Sequence, residues 1–371
     1  MKIALFTESF LPGVGGTENV VLRLAYEYSK EHEVVVFAPS YHRAYEENLS
    51  LPFKVVRARS IGIKNDFRGF PSLTGKLKRA IEEFKPDVLH THTLGAMASY
   101  ANKYGKKHNI PVVCTIHTKF WYCYKNVFKL DFIASAILKF VINRANNADR
   151  VTSVSNSMIA EFKPFGLKKE LTIIRNGNDL REVNIEEKTK NKRFTLLYAG
   201  MLVEYKNLTF SLKALAELKK RRFDFVFYMI GAGMHEKKYK KLVKKLGLEN
   251  NVIFTGVIEK QKMSEYYKKA DLVFFTSVAD SEGLILIEGA ENGTPSLVLE
   301  GTGASERFTD NETGFISKND VNVVANRIEE LMNNEELLRR VGRRAHEVCI
   351  PWENVAKQYL ALYEEEIEKK K

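Results

Sequence analysis

The acidic residues Asp280, Glu282 and Glu288 stand on both sides of Gly283 in the segment 277–295, SVADSEGLILIEGAENGTP. The pattern predicts a strand, a small polar loop and then a helix that begins near Gly283. Asp280 and Glu288 would then flank a helix N-terminus, whose free N–H groups suit a diphosphate. Alternatively, Asp280 or Ser281 caps the helix and Glu288 is solvated. These residues alone leave both interpretations open.

A glycine-rich loop follows the first predicted strand, in FTESFLPGVGGTENVVLRLA (6–25). It lacks the lysine and hydroxyl of a P-loop, and it breaks the last position of a GxGxxG pattern. A helix predicted to begin near Thr17 would still place backbone N–H groups around Gly15 and Gly16 at a positive helix end. The loop is interpreted either as a phosphate contact or as a tight turn.

A second glycine loop, IGAGMHEKKYKKL (230–242), includes Gly231 and follows another predicted strand. A dinucleotide site would need a third glycine where Glu236 stands, and that interpretation is rejected. A loop that passes close to one nucleotide remains compatible with the pattern.

Three histidines, His90, His92 and His117, fall at predicted strand ends. His90 and His92 alternate along one strand and should share a face. A zinc site is not favoured, because no carboxylate stands nearby at helical spacing. A polar contact to ligand hydroxyls, especially from His117, fits better.

The segment 119–144, KFWYCYKNVFKLDFIASAILKFVINR, mixes basic and aromatic residues with an apolar block. The block is too short to span a bilayer. Either it lies at a membrane interface, or it is a core helix preceded by a surface loop.

Composition describes a soluble globular protein, and 371 residues favour two domains. The net charge of +12 is uneven: residues 1–180 hold 26 Lys and Arg against 16 Asp and Glu, a net of +10. This basic half suggests an anionic partner, such as a membrane surface. The start contains Glu8 and does not resemble a signal sequence, and the three cysteines have no disulfide or metal spacing. A cytoplasmic location is therefore expected.

Strands and helices alternate in two blocks separated by a charged segment, REVNIEEKTKNKR (181–193), which is predicted to be a linker. Near-continuous Val and Ile runs between helices predict parallel sheets covered on both faces. The fold class is therefore α/β, with two doubly wound domains whose ligands lie at the carboxyl ends of strands.

Together these segments resemble a glycosyltransferase of family 4, a retaining enzyme with the GT-B fold. The resemblance covers nearly the whole chain, through FLPGVGGTE, DVLHTHT, VVCTIHT, LLYAGMLVEYKNL and DSEGLILIEGAENGTP in the family's order. It implies two Rossmann-like domains that face each other across a cleft. Residues 1–180 would bind the acceptor and residues 194–350 the nucleotide sugar, and the helix in residues 351–371 would pack back toward the first domain.

The resemblance also implies roles for individual residues. Gly15 and Gly16 would face the donor diphosphate, and Lys206 would neutralise it and help the leaving group depart. Glu288 would hold the ribose hydroxyls, and His117 would lie beside the transferred sugar. The further substrate-binding positions are Gly200, Met201, Gly231, Val257, Ile258, Glu282, Gly283 and Leu284, with Val257 and Ile258 near the base.

Two positions depart from the family pattern. Met201 stands where the family usually has an arginine that clamps the diphosphate with the lysine, which removes one positive charge. Asp280 replaces the first glutamate of the Glu-x7-Glu motif, and Glu282 is a possible substitute for it. Either the donor site is rebuilt or donor binding is weakened.

The implied activity is transfer of a sugar with retention, with Lys206, His117 and Asp280 as the catalytic candidates and without a metal or other cofactor. A UDP-sugar is the favoured donor, because UDP is the commonest donor nucleotide in the family.

HTHTLG and TIHTKFWY are similar to the branch that glycosylates diacylglycerol-type lipids. The expected acceptor is a lipid or a polysaccharide precursor at an anionic membrane, to whose inner face the protein would attach peripherally. Nucleic acid is not an expected partner. The alternatives are a nucleotide-sugar epimerase of the same fold and a non-catalytic nucleotide-binding subunit.

Overall fold

The computed structural model describes residues 1–13, 15–40, 50–62, 68–69, 75–121, 124–125, 130–178 and 192–371. They form two compact units. Unit 1 comprises Met1–Gly177 together with Pro351–Lys371, and unit 2 comprises Asn178–Ile350. Most of the predicted linker, residues 181–191, lies outside the described residues.

Unit 1 is built on a seven-stranded sheet and one short additional strand pair. Its strands are β1 (Lys2–Phe6), β2 (Glu33–Pro39), β3 (Lys54–Ala58), β4 (Ile61–Gly62), β5 (Arg68–Gly69), β6 (Val88–Thr91), β7 (Val112–Ile116), β8 (Arg150–Ser153) and β9 (Leu171–Ile173). The sheet order is β3-β2-β1-β6-β7-β8-β9, and every neighbouring pair is parallel. β4 and β5 pair antiparallel. All of β7 is buried, as expected for a strand covered on both faces.

Helices connect these strands. They are α1 (Gly16–Tyr28), α2 (Gly75–Phe84), α3 (Ala96–His108), α4 (Asp131–Asn146) and α5 (Ser157–Phe162). The buried side of α4 carries Leu138 and Ile142, which join the core of the unit. Phe132 and Phe140 on the same helix are exposed, at 71% and 65%. The buried side of α4 is therefore a core helix, and contact of its exposed side with a membrane interface stays a prediction.

Unit 2 repeats the architecture with six strands. They are β10 (Phe194–Ala199), β11 (Phe225–Ile230), β12 (Val252–Gly256), β13 (Leu272–Phe275), β14 (Ser296–Leu299) and β15 (Phe315–Ser317). The order is β12-β11-β10-β13-β14-β15, again parallel throughout. Its helices are α6 (Leu208–Lys220), α7 (Glu236–Lys245), α8 (Lys260–Lys269), α9 (Leu284–Glu291), α10 (Val321–Met332) and α11 (Glu335–Arg344). The predicted fold class of two doubly wound α/β domains is confirmed.

The last helix, α12 (Trp352–Glu368), follows unit 2 in the chain but packs on unit 1. The hydroxyl of its buried Tyr363 lies 3.0 Å from the hydroxyl of Tyr28 on α1. Arg150 of β8 donates to Glu366 at 3.0 Å. Among the helices that the structure describes, none has the length and apolar composition needed to cross a membrane.

Candidate functional site

The ends of β10 and β11 approach each other closely in unit 2. The Gly200 N–H donates to the Ile230 carbonyl at 2.9 Å. A Cβ on Gly231 would lie only 2.1 Å from the Gly200 carbonyl oxygen, and Gly231 has a φ of 123°, so glycine is required there. Met201 follows with its side chain 55% exposed, while its carbonyl accepts from the Tyr198 hydroxyl at 3.0 Å. The place where the family pattern has an arginine thus carries an exposed methionine.

Lys206 ends a short 3-10 helix, Glu204–Lys206, that follows β10. Its Nζ lies 2.6 Å from Oδ1 of Asp280, in the loop after β13, and the two side chains are only 14% and 20% exposed. β10 and β13 are parallel neighbours, so their following loops lie at one edge of the sheet. The Asn207 amide donates to the Thr276 carbonyl at 3.2 Å and ties these loops together.

Asp280 does not cap the following helix. α9 begins at Leu284, and its N-cap is Gly283, which has a φ of 83° and no side chain that could cap the helix. Neither Asp280 nor Ser281 is therefore the N-cap residue of α9. The second carboxylate oxygen of Asp280, Oδ2, is buried and has no hydrogen-bond partner in the part of the chain that the structure describes. A buried carboxylate oxygen of this kind is suited to a donor group from a ligand.

Glu282 points to a different partner. It forms an ion pair with Arg307, whose side chain and that of Glu282 are 2% and 1% exposed. Arg307 also donates to the Val348 carbonyl at 2.7 Å. Of the two acids in the loop, Asp280 is therefore the one beside Lys206. Arg307 was missed by the sequence analysis, because it lies in a separate segment and no spacing links it to Glu282.

Glu288 on α9 is half-buried. Its Oε2 accepts from the Tyr267 hydroxyl at 2.6 Å. Burial raises the pKa of the Glu288 carboxyl, while Tyr267 and Lys260 act against this rise. Its half-buried position and the hydrogen bond from Tyr267 show that Glu288 is not simply solvated. Tyr267 was not identified from the sequence, since α8 shows no motif that marks it.

The two positions expected near the base differ in exposure. Val257, directly after β12, is 77% exposed. Ile258 is half-buried and packs against the core of unit 2. We call the four charged residues at this edge of the sheet, Lys206, Asp280, Glu282 and Arg307, the loop cluster.

The remaining predicted site residues belong to unit 1. Gly15 is the N-cap of α1, which begins at Gly16, and no side chain bonds to this cap. A Cβ on Gly15 would lie 2.4 Å from the Glu18 carboxylate. His117 directly follows β7. Val14, inside the same glycine loop, lies outside the described residues.

His90, His92 and His117 form what we call the histidine cluster. The rings of His90 and His92 are 3.9 Å apart between centroids, and His92 Nδ1 lies 3.0 Å from His117 Nε2. His90 contacts the Tyr363 hydroxyl at 2.5 Å through Nδ1 and the Thr115 hydroxyl at 2.6 Å through Nε2. The contribution of Tyr363 to this arrangement was missed, because α12 is distant in sequence.

Burial keeps these imidazoles uncharged. It lowers the pKa of His117 to about 4 and holds the pKa values of His90 and His92 well below their usual range. All three rings are therefore neutral near pH 7, each with one nitrogen that donates and one that accepts. Among the described residues, no group of three or more His, Cys, Asp or Glu side chains is arranged to hold a metal ion.

Comparisons with known proteins cover both units. A model described as Glycosyltransferase Family 4 matches residues 14–182, and a model described as Glycosyl transferases group 1 matches residues 181–348. The alpha-monoglucosyldiacylglycerol synthase of Streptococcus pneumoniae is 24% identical over 317 residues, which cover 80% of this chain and 70% of that protein. The protein of the same name from Acholeplasma laidlawii is 24% identical over 405 residues, covering 100% and 98%.

A solved structure adds the fold. Anabaena Alr3699/HepE in complex with UDP and glucose matches with a TM-score of 0.75 and 19% identity, over 98% of this chain and 100% of that chain. The likeness agrees with the two parallel sheets described above. The GT-B fold implied by the sequence motifs is confirmed.

Proposed function

Because the chain belongs to glycosyltransferase family 4, we propose that it moves a sugar, with retention, from a nucleotide diphosphate sugar to a membrane-associated acceptor. The observation that carries the proposal is the 2.6 Å contact between Lys206 and Asp280, close to the start of α9. It puts a cation and a carboxylate at the edge of the unit 2 sheet where α9 begins, and a helix N-terminus favours a bound anion.

Lys206 would stabilise the negative charge that develops on the departing diphosphate, together with the backbone at Gly283 and Leu284. Asp280 would accept a hydrogen bond from a hydroxyl of the transferred sugar, and Glu288 would hold the ribose. His117, neutral near pH 7, would donate to or accept from the sugar. The acceptor hydroxyl would attack from the face that the diphosphate leaves, which retains the anomeric configuration. Lys206 would supply the positive charge in this scheme, without a metal ion.

UDP is the favoured nucleotide, supported by the solved structure of Anabaena HepE with UDP and glucose. A diacylglycerol-type lipid or a related precursor is the favoured acceptor, supported by the two alpha-monoglucosyldiacylglycerol synthases among the relatives. These relatives are synthases by description, and they give no support to an epimerase or to a non-catalytic subunit.

Attachment to an anionic membrane would occur through unit 1. Phe132, Ala136, Lys139 and Phe140 are exposed together on α4. Aromatic rings beside a lysine suit the headgroup region of a bilayer. The excess of positive charge in residues 1–180 would attract an anionic leaflet, such as the inner face of the cell membrane.

The proposal is tested by measuring nucleoside diphosphate release from UDP-, GDP- and ADP-sugars in EDTA, with and without anionic vesicles that contain diacylglycerol. We expect lipid-stimulated release from one donor, with a glycolipid that keeps the anomeric configuration. Lys206→Ala should reduce turnover about 100-fold or more, whereas Lys213→Ala, an exposed lysine on α6, should leave it unchanged. Equal activity of the two variants would contradict the role of Lys206.

Other outcomes point to the alternatives. Free sugar or an epimer without a glycosylated product would favour the epimerase. Nucleotide binding without turnover on any acceptor would favour the non-catalytic subunit.

Membrane attachment is tested separately by cosedimentation with anionic vesicles. Phe132→Ser with Phe140→Ser should weaken binding, because both rings are exposed and make little contact with the core. Val323→Ser, at an exposed apolar position on α10 of unit 2, is the matched control. Binding that is the same for the double variant and the control would exclude this face of α4.

A further inference from the structure

We propose that Asp280 makes the donor site selective for the intact sugar nucleotide over the free nucleoside diphosphate, because its carboxylate neutralises Lys206 until a sugar hydroxyl engages it. This inference rests on the proposed function and concerns the specificity of the same site. Three observations carry it: the ion pair itself, the second carboxylate oxygen of Asp280, and the side chain at position 201.

The ion pair is short and largely enclosed. Lys206 Nζ lies 2.6 Å from Asp280 Oδ1, with the side chains only 14% and 20% exposed. Such a pair is screened less by solvent and salt than a pair on the surface. The ammonium is also framed by the rings of Tyr205 and Phe275, whose centroids lie 5.6 and 5.9 Å from Nζ. A diphosphate must therefore compete with a carboxylate that is already in place.

Position 201 increases the effect of this competition. Met201 is 55% exposed and carries no charge, where the family pattern has a second cation. The diphosphate then depends on Lys206 more than it would beside an arginine. When Asp280 neutralises that lysine, Lys206 offers little net positive charge to a nucleoside diphosphate that enters without its sugar.

The second carboxylate oxygen of Asp280 can accept a hydrogen bond from the sugar of the donor. Oδ2 is buried and has no hydrogen-bond partner among the residues that the structure describes. A donor that reached it would remove the cost of this unsatisfied oxygen. A sugar hydroxyl is such a donor, and the free nucleoside diphosphate has no hydroxyl at that end. A carboxylate that accepts a hydroxyl attracts the Lys206 ammonium less strongly, so sugar binding at Asp280 and diphosphate binding at Lys206 are coupled within one ligand.

This coupling should make the donor bind more tightly than the nucleoside diphosphate that remains after transfer. The intact donor gives Asp280 a sugar hydroxyl to bind and places its diphosphate at Lys206, so it makes both contacts. After transfer, the sugar leaves with the acceptor and Asp280 returns to Lys206. The carboxylate then competes with the bound diphosphate and favours its release. Asp280 is therefore expected to lower product inhibition.

The test is calorimetric titration of the full chain with UDP, GDP and ADP, and with the matching sugar nucleotides. Asp280→Asn keeps the shape of the side chain and removes its charge. We expect the productive nucleoside diphosphate to bind about tenfold more tightly and the sugar nucleotide to gain less. Glu204→Gln removes the same charge from the same short helix as Lys206, but from an exposed residue paired with Lys238, and should change neither affinity.

A double-variant cycle separates this mechanism from direct repulsion between Asp280 and the diphosphate. In a Lys206→Met background, the gain from Asp280→Asn should disappear, because no ammonium remains to be released. An equal gain in both backgrounds would overturn the inference. Unchanged or weaker nucleoside diphosphate binding by Asp280→Asn, and by Asp280→Ser as a second variant, would overturn it as well. If neither the native chain nor any variant binds a nucleotide, the proposed function itself fails.

Discussion

The loop cluster of unit 2 and the histidine cluster of unit 1 both lie at the ends of parallel strands, but different forces hold them. In the loop cluster every charge faces an opposite charge, as in the pairs Lys206–Asp280 and Glu282–Arg307. In the histidine cluster neutral groups exchange hydrogen bonds, and burial keeps the rings uncharged.

Because of this difference, a ligand could replace a contact in the loop cluster but not one in the histidine cluster. An anionic ligand can exchange with a carboxylate at an ion pair, so the Lys206–Asp280 contact is suited to open and re-form. The hydrogen bonds around His90 run through fully buried groups of β6, β7 and α12, which leave no room for exchange. The Lys206–Asp280 pair of the first cluster is therefore the part that we propose to bind a ligand, whereas the second cluster holds His92 and His90 in fixed positions beside His117.

The largest effect is expected inside the loop cluster itself. Arg307→Met should destabilise the fold by about 3–5 kcal/mol, because it leaves the Glu282 carboxylate buried without its partner. Urea unfolding measures the change. Arg339→Met, which breaks the exposed pair with Glu335, should cost about 0.5 kcal/mol or less. Similar losses for the two variants would mean that the Glu282–Arg307 pair is not structurally special.

Lowering the pH should reduce the free energy of unfolding through the histidine cluster. The pKa of His117 is lowered from 6.5 to about 4 in the fold, so the unfolded chain binds more protons between these values. Stability that is present above pH 6.5 is then lost as the pH falls, by about 2 kcal/mol at pH 5 for His117 alone. Urea unfolding at pH 7 and pH 5 gives the difference.

Two variants isolate that contribution from the carboxylates that titrate in the same range. His117→Gln should flatten the pH dependence by about the amount that His117 supplies. His346→Gln, at an exposed histidine beyond α11, is the matched control that makes the same replacement and leaves His117 in place. A pH dependence that is equally steep in all three proteins would refute the lowered pKa of His117 in the fold.

The smallest effect concerns the contact of α12 with the histidine cluster. Tyr363→Phe removes hydrogen bonds to His90 and Tyr28 and should cost about 1–2 kcal/mol. It should also shift the imidazole nitrogen resonances of His90 in NMR spectra, which a purely packing role of Tyr363 would not do. Tyr104→Phe on α3, a partly exposed tyrosine, is the matched control. Unmoved His90 resonances would show that Tyr363 does not orient this ring.

The sequence predicted most of the strands and helices of both sheets, because buried parallel strands appear as Val and Ile runs between helices. It did not predict β9 and β15, which have three residues each and are too short to form a recognisable run. It placed His90 and His92 on one face through their alternation, and the two rings are adjacent in the structure. It also brought Lys206, Asp280 and Glu288 into one predicted donor site through the family's motif order.

The sequence could not predict which charged side chains of that site contact each other. Spacing could not show that Asp280 contacts Lys206 across 74 residues, or that Glu282 turns inward to Arg307. Both contacts depend on how loops from separate strands fold over one edge of the sheet. Local sequence carries no information on that geometry, and the capping and solvation alternatives for Asp280 and Glu288 were equally consistent with it.

The amino-acid sequence by itself determined the α/β class, the two-part organisation and the family, since these depend on periodicity and motif order along the chain. Tertiary structure alone decided which charges neutralise each other, which carboxylate oxygen stays without a partner, and that Tyr363 of the last helix reaches His90. Those properties depend on distances of a few ångströms between residues far apart in the chain. Burial then sets their energetics, because it lowers the pKa of His117 and strengthens the Lys206–Asp280 pair.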